Sequence, residues 1–186
     1  MPQFPPIPTW DSLHPMVIHF PIVLLLLSPL FILISAVHLP PKGRPYMFVG
    51  LIMLLLGTGS LFLAAASGEA AAQLAVRGGP VDTVLATHES LAEETKIVFS
   101  VLSVILVGIA VLPRILHREE TRLTSTVMPL SFLVLYCAGI LSVINTAHAG
   151  ARLVHEFGMH ATIPAENSQT SALPAAAESA GLDKRK

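Results

Sequence analysis

The charged residues of this chain are clumped, and the intervals between them decide what it can fold into. No Asp, Glu, Lys or Arg stands between Asp11 and Lys42, between Arg44 and Glu69, between Lys96 and Arg114, or between Arg122 and Arg152. Each interval is close to or longer than the roughly 17–25 apolar residues that carry a helix across a hydrocarbon core. Only 12% of the 186 residues are charged and 53% are hydrophobic. Soluble domains carry about 25% charge, so the composition argues against a water-soluble globule. Lipid offers no partner to exposed backbone groups, and the chain lacks the alternation of a barrel strand, which leaves helices. The expected fold is all-α, a polytopic membrane four-helix bundle with spans near residues 13–39, 46–70, 92–116 and 128–149.

Around this membrane domain, taken as 13–160, the sequence predicts a Pro-rich N-terminal segment over 1–12 and a disordered tail over 161–186, rich in Ala, Ser, Pro and Glu. The first fifteen residues hold no Lys or Arg, whereas a cleaved signal peptide has a basic start, so the first span is expected to be retained. Past Glu69 the segment Ala70 to Val76 still favours a helix until Gly78, Gly79 and Pro80. Asp82 is then the expected N-cap of a helix whose one face holds Val84, His88, Leu91, Thr95 and Val98. This predicts a helical hairpin extending beyond the lipid on one side.

Basic residues orient the bundle. Lys42, Arg44, Arg114, Arg118 and Arg122 fall on one side, and Arg77, Lys96 and Arg152 on the other. That bias predicts both termini outside, which in a bacterial cytoplasmic membrane is the periplasm. A single cysteine, Cys137, excludes a disulfide framework, covalently attached c-type haem and a cysteine-ligated iron–sulfur cluster. A net charge of −1 with no basic run before Lys184 leaves no footprint for nucleic acid. There is no GxSxG elbow, phosphate loop or dinucleotide fingerprint, so a stand-alone enzyme is not expected.

The histidines carry the chemistry. His14 and His19 open the first span, His88 precedes the third, and His148, His155 and His160 follow the fourth, all on the predicted outer side. His38 and His117 lie at the opposite edge and read as interfacial anchors. An imidazole beside an apolar span is costly unless it pairs or ligates. His148 and His155 share a helix face with Asn145 and Arg152, at spacings of three and four. His19 lies about 7 Å below His14 at ~1.5 Å per residue, and Pro21 frees the Val17 carbonyl beside it, predicting a kink. Imidazoles from separate helices are the usual ligands of haem b in membrane bundles. On this reading His19 and His88 are the first choice of ligand, then His148, His155 and His14, with Asn145 and Arg152 behind them. A copper or zinc ion would instead draw on His19, His88, Glu69 and Glu89, although the i, i+4 histidine pair of helical zinc sites is absent. Small residues in the second and fourth spans serve plain helix packing or a cofactor cleft.

The run Leu13-His14-Pro15-Met16-Val17-Ile18-His19-Phe20-Pro21-Ile22 resembles the signature of an uncharacterised bacterial family of four-span membrane proteins, a domain of unknown function. Ser67-Gly68-Glu69-Ala70-Ala71, His88-Glu89-Ser90-Leu91-Ala92 and the glycine-containing segment Gly150 to Gly158 are similar to shorter segments of its members. The resemblance covers roughly residues 13 to 160. It departs at His155-Glu156-Phe157-Gly158, where many relatives have a Tyr-Glu-His-Gly-like ending. It supports His14, His19 and His88 by motif, and implies redox associations, since relatives occur joined to or near electron-transfer modules. The leading expectation is therefore a haem b electron-transfer protein of the membrane, with a redox partner or larger complex. The alternatives are a non-catalytic membrane subunit and an outer-face copper or zinc site.

Overall fold

A computed structural model describes residues 9–38, 40–75, 78–117 and 121–159. The disorder expected for 161–186, the first eight residues of the Pro-rich segment and His160 lie outside these. Four helices are long and apolar enough to cross a membrane: α1, His14–Val37; α2, Arg44–Gln73; α3, Pro80–Ile115; and α4, Leu123–His155. Helices adjacent in sequence pack side by side, and α4 closes the ring against α1. The fold is the expected all-α four-helix arrangement.

Each helix is apolar nearly all round, the pattern of a membrane span rather than of a surface helix. Leu26, Leu33, Leu56, Val104, Val134 and Leu141 point outward and are exposed, which suits hydrocarbon and not water. Inside, Leu25 and Ile32 of α1 meet Leu51 and Leu54 of α2, Phe99, Leu102 and Leu106 of α3, and Phe132 and Tyr136 of α4. Phe99 and Phe132 each set an edge against the Tyr136 ring, at 5.5 and 5.7 Å.

Polar contacts tie all four interfaces. Ser28 Oγ donates to the Gly50 carbonyl across α1–α2, at 2.9 Å. The Thr58 and Ser103 hydroxyls pair at 3.0 Å across α2–α3, and those of Thr95 and Thr146 at 2.9 Å across α3–α4. Between α4 and α1, Tyr136 donates to the Leu25 carbonyl at 2.8 Å. Proline explains that last bond. Pro29, inside α1, has no N–H to offer the carbonyl four residues back, so Leu25 needs a partner from elsewhere. Pro21 acts similarly on Val17, and the regular helix of α1 is interrupted at Ile18.

At about 1.5 Å per residue, α3 is longer than a hydrocarbon core of about 30 Å, so it projects from one end. There Ala72 of α2, Val84 and Leu85 of α3 and Leu153 of α4 form a second small core, flanked by Phe157 and Met159. The face predicted for this extension is the inward one: Val84 and Thr95 are buried, and His88, Leu91 and Val98 half-buried. Two details differ from expectation. α2 stops at Gln73 rather than running to Val76. α3 starts at Pro80 with Gly79 as its cap, so Asp82 is a first-turn acid and not the N-cap. Proline suits a first-turn position and pulls the start forward, while Gly78 and Gly79 have φ of 152° and 58°, open to glycine.

Tyr136→Phe keeps the ring but leaves the Leu25 carbonyl without a donor. It should lower stability in detergent by about 1–3 kcal/mol, measured by denaturant unfolding. Cys137→Ser, on the neighbouring exposed position, should leave stability unchanged.

Candidate functional site

At the end of the bundle that carries the extension, two imidazoles reach sideways from odd-numbered helices onto even-numbered ones. His14 starts α1, where Pro15 at the second position costs no helical bond. Its Nδ1 lies 2.9 Å from the Ala64 carbonyl and 3.1 Å from Ser67 Oγ on α2. A carbonyl only accepts, so Nδ1 carries the proton. Ser67 Oγ donates its own proton to Ala64 O at 2.9 Å, so it too accepts from His14. His88 repeats the device from α3, its Nδ1–H donating to the Thr146 carbonyl of α4 at 2.9 Å. In the neutral ring Nε2 is then a lone pair, and among the described residues no protein group hydrogen-bonds Nε2 of either histidine. The two rings are half-buried and lie at the same end of the bundle.

The likeness of the two halves goes deeper. The His14 ring lies on Gly68, four residues past Ala64, and the His88 ring on Gly150, four residues past Thr146. One turn of α2 below, Ser60 Oγ bonds the Gly57 carbonyl at 2.8 Å, and in α4 Ser142 Oγ bonds the Gly139 carbonyl at 2.8 Å. Gly57 packs on Leu25 and Gly139 on Phe99, each eleven residues after its half's histidine. The hairpins α1–α2 and α3–α4 thus repeat one pattern of contacts, in which His14 and His88 hold equivalent places.

Their depth follows from helix length. Arg44 and Arg114 mark the opposite end of the bundle. About 20 residues of helix cross about 30 Å, which takes α2 from Arg44 to the level of Ala64. By helix length alone, both rings fall near the edge of a hydrocarbon core that begins at Arg44.

The other expected ligands do not join it. His19 is exposed, on a different side of α1 from His14. Asn145, His148 and His155 share a face as their spacing predicts, but α4 turns inward with Phe132, Tyr136, Gly139, Ala149 and Leu153, and all three are exposed. Arg152 pairs with Glu156 at 2.9 Å rather than backing a histidine. Glu69 and Glu89 are exposed, and the set His19, His88, Glu69 and Glu89 does not converge: no three His, Cys, Asp or Glu gather as a metal site among the described residues. At the far end, the exposed His38 and His117 bond carbonyls of their own chain ends, Ile34 at 2.9 Å and Ile115 at 3.1 Å.

Residues 11–163 match the family described as predicted membrane protein (DUF2231). The chain belongs to that family. No curated protein and no solved structure matches it.

Sequence reasoning missed the bonds of His14 and His88 to the neighbouring helices and the parts played by Gly68 and Gly150. The signal was present: Gly57, Ser60 and Gly68 recur as Gly139, Ser142 and Gly150 at identical spacing. Removing either paired donor should register as stability. His14→Ala and His88→Ala should each cost about 0.5–1.5 kcal/mol in detergent unfolding, while His19→Ala and His148→Ala stay at the wild-type midpoint.

Proposed function

We propose that this protein binds haem b between His14 and His88 and transfers electrons at the periplasmic face of a bacterial cytoplasmic membrane. The observation that supports this most is the donor chemistry of the pair. A ligating histidine usually donates its second ring N–H to a carbonyl or carboxylate, which fixes the tautomer and raises the basicity of the ligating nitrogen. Both imidazoles make such a bond to a backbone carbonyl, both present Nε2 as a lone pair, and each comes from a separate hairpin. Two neutral donors suit a porphyrin iron, whose other four positions are filled by the macrocycle. They do not complete a four-coordinate zinc site, for which the described residues supply no third ligand. A haem held by two imidazoles has no open position and so supplies one-electron transfer rather than oxygen chemistry.

The residues of this chain would do two things. His14 and His88 would hold the ligand from opposite halves, and the carbonyls of Ala64 and Thr146 would orient them. The competing reading is a scaffold subunit in which the same bonds merely clamp α1 to α2 and α3 to α4. It draws support from the same hydrogen bonds, and a cofactor assay separates the two.

Protein made with haem available and purified in mild detergent should show a Soret band and split ferrous bands. His14→Ala and His88→Ala should lose them, and His19→Ala and His148→Ala should keep them. A colourless, iron-free wild type would leave the clamp reading. Reporter fusions at the C-terminus should be active as periplasmic alkaline phosphatase and dark as green fluorescent protein; the reverse pattern would invert the topology.

A further inference from the structure

The glycines of this chain divide into classes by what a methyl group would meet on them. At Gly59 and Gly108 an added Cβ meets nothing within 4 Å. At Gly57 and Gly139 it meets the core side chains Leu25, Leu102 and Phe99, which is ordinary helix packing. Gly68 and Gly150 differ from both. The three nearest neighbours of each are all imidazole atoms: at Gly68, His14 Cε1 at 2.9 Å and Nδ1 at 3.2 Å; at Gly150, His88 Cε1 at 3.0 Å and Nδ1 at 3.3 Å. Glycine inside a helix costs about 1 kcal/mol relative to alanine. At these two positions the structure spends that cost on a ring rather than on a neighbouring helix.

We propose that Gly68 and Gly150 are positioning residues, each the seat on which one imidazole of the pair lies flat enough to keep its Nδ1–H on the carbonyl one turn away. The geometry is the same in both halves: the carbonyl four residues before the glycine takes the proton, and the bare Cα behind it lets the ring close to 2.9 Å. An imidazole is rigid, so a methyl group cannot be accommodated by bending it. The ring must swing about its side-chain bonds, and swinging breaks the bond to Ala64 or Thr146. An ideal Cβ would lie 2.9 Å from His14 Cε1 at Gly68 and 3.0 Å from His88 Cε1 at Gly150, too tight at either position for the ring to stay where it is. Ser67, which takes a share of the His14 proton, has Ala149 as its counterpart in the other half, so the two seats are alike in shape and unlike in polarity. This inference deepens the ligand reading above, but its first test does not depend on that reading.

The first test uses full-length protein without cofactor, labelled with 15N-histidine and reconstituted in lipid, with magic-angle spinning spectra reporting which ring nitrogen carries the proton. His14→Gln and His88→Gln assign the two signals, and circular dichroism checks that each variant is helical. Wild type should show both rings as the Nδ1–H form. Gly68→Ala should diminish that form for His14 alone, and Gly150→Ala for His88 alone. Gly59→Ala, Gly108→Ala and the packing control Gly139→Ala should retain both. If Gly68→Ala keeps His14 in the Nδ1–H form, or if Gly139→Ala disturbs both rings as much as the seat variants do, the proposal is overturned. The second test titrates haem. Gly68→Ala and Gly150→Ala should bind about 10–100-fold more weakly than wild type, the usual loss when an orienting contact is removed. Unchanged affinity with an altered tautomer would overturn the positioning role. A wild type that binds no haem would end the ligand reading, with the spectra still deciding the seats.

Discussion

A backbone carbonyl in lipid must find its donor inside the protein, and this chain is organised by where spare carbonyl capacity is placed. Pro29 opens one at Leu25, and Tyr136 closes it from the far side of the ring of helices. The carbonyls of Ala64 and Thr146 each accept an imidazole N–H from another helix, His14 and His88 respectively. The apolar side chains cannot specify which helix meets which, because lipid is as apolar as leucine. The few polar contacts do so, one kind at every interface. The histidine bonds belong to this set, and they leave Nε2 of each ring without a protein partner among the described residues.

The two hairpins repeat the same solution. Histidine and core residue recur in the second half at one spacing, and Gly-x-x-Ser and seat glycine at another, each kept within its own helix. Equivalent residues of two halves can hold a single ligand from two sides, as in other sites built between the helices of a bundle. The halves are not copies throughout. His19 corresponds to Glu93, and the polar stripe Asn145, His148 and His155 has Leu63, Ala66 and Gln73 opposite it. What the repeat keeps is the machinery that holds the imidazoles, and what it varies faces outward.

The spans, their number and the extension beyond the lipid were legible in the charge-free windows and in the face of α3 from Val84 to Val98, because burial and solvation act on composition directly. The choice among histidines was not. Spacing tells that His148 and His155 share a side of α4, but the rotation of α4 is fixed by Gly139 meeting Phe99 and by Tyr136 reaching Leu25, contacts made by other helices. The same rotation in α1 turns His14 inward and His19 outward, though the motif holds both. Asp82 reads as a cap by residue type, yet Pro80 starts the helix earlier. The seat glycines look like packing residues until the ring lying on each is seen.

A ligand shared by the two halves requires His14 and His88 to meet at one mouth of the bundle. In a Cys137→Ser background, His14→Cys and His88→Cys placed together, with bifunctional methanethiosulfonates of increasing length applied to membranes, measure that meeting directly. The short reagents should join the two cysteines within one chain, as read by mass spectrometry of the linked peptides, while His19→Cys paired with His88→Cys stays unlinked. Failure of the His14–His88 pair to link, with both cysteines reactive to a monofunctional reagent, would place the rings apart and contradict the account.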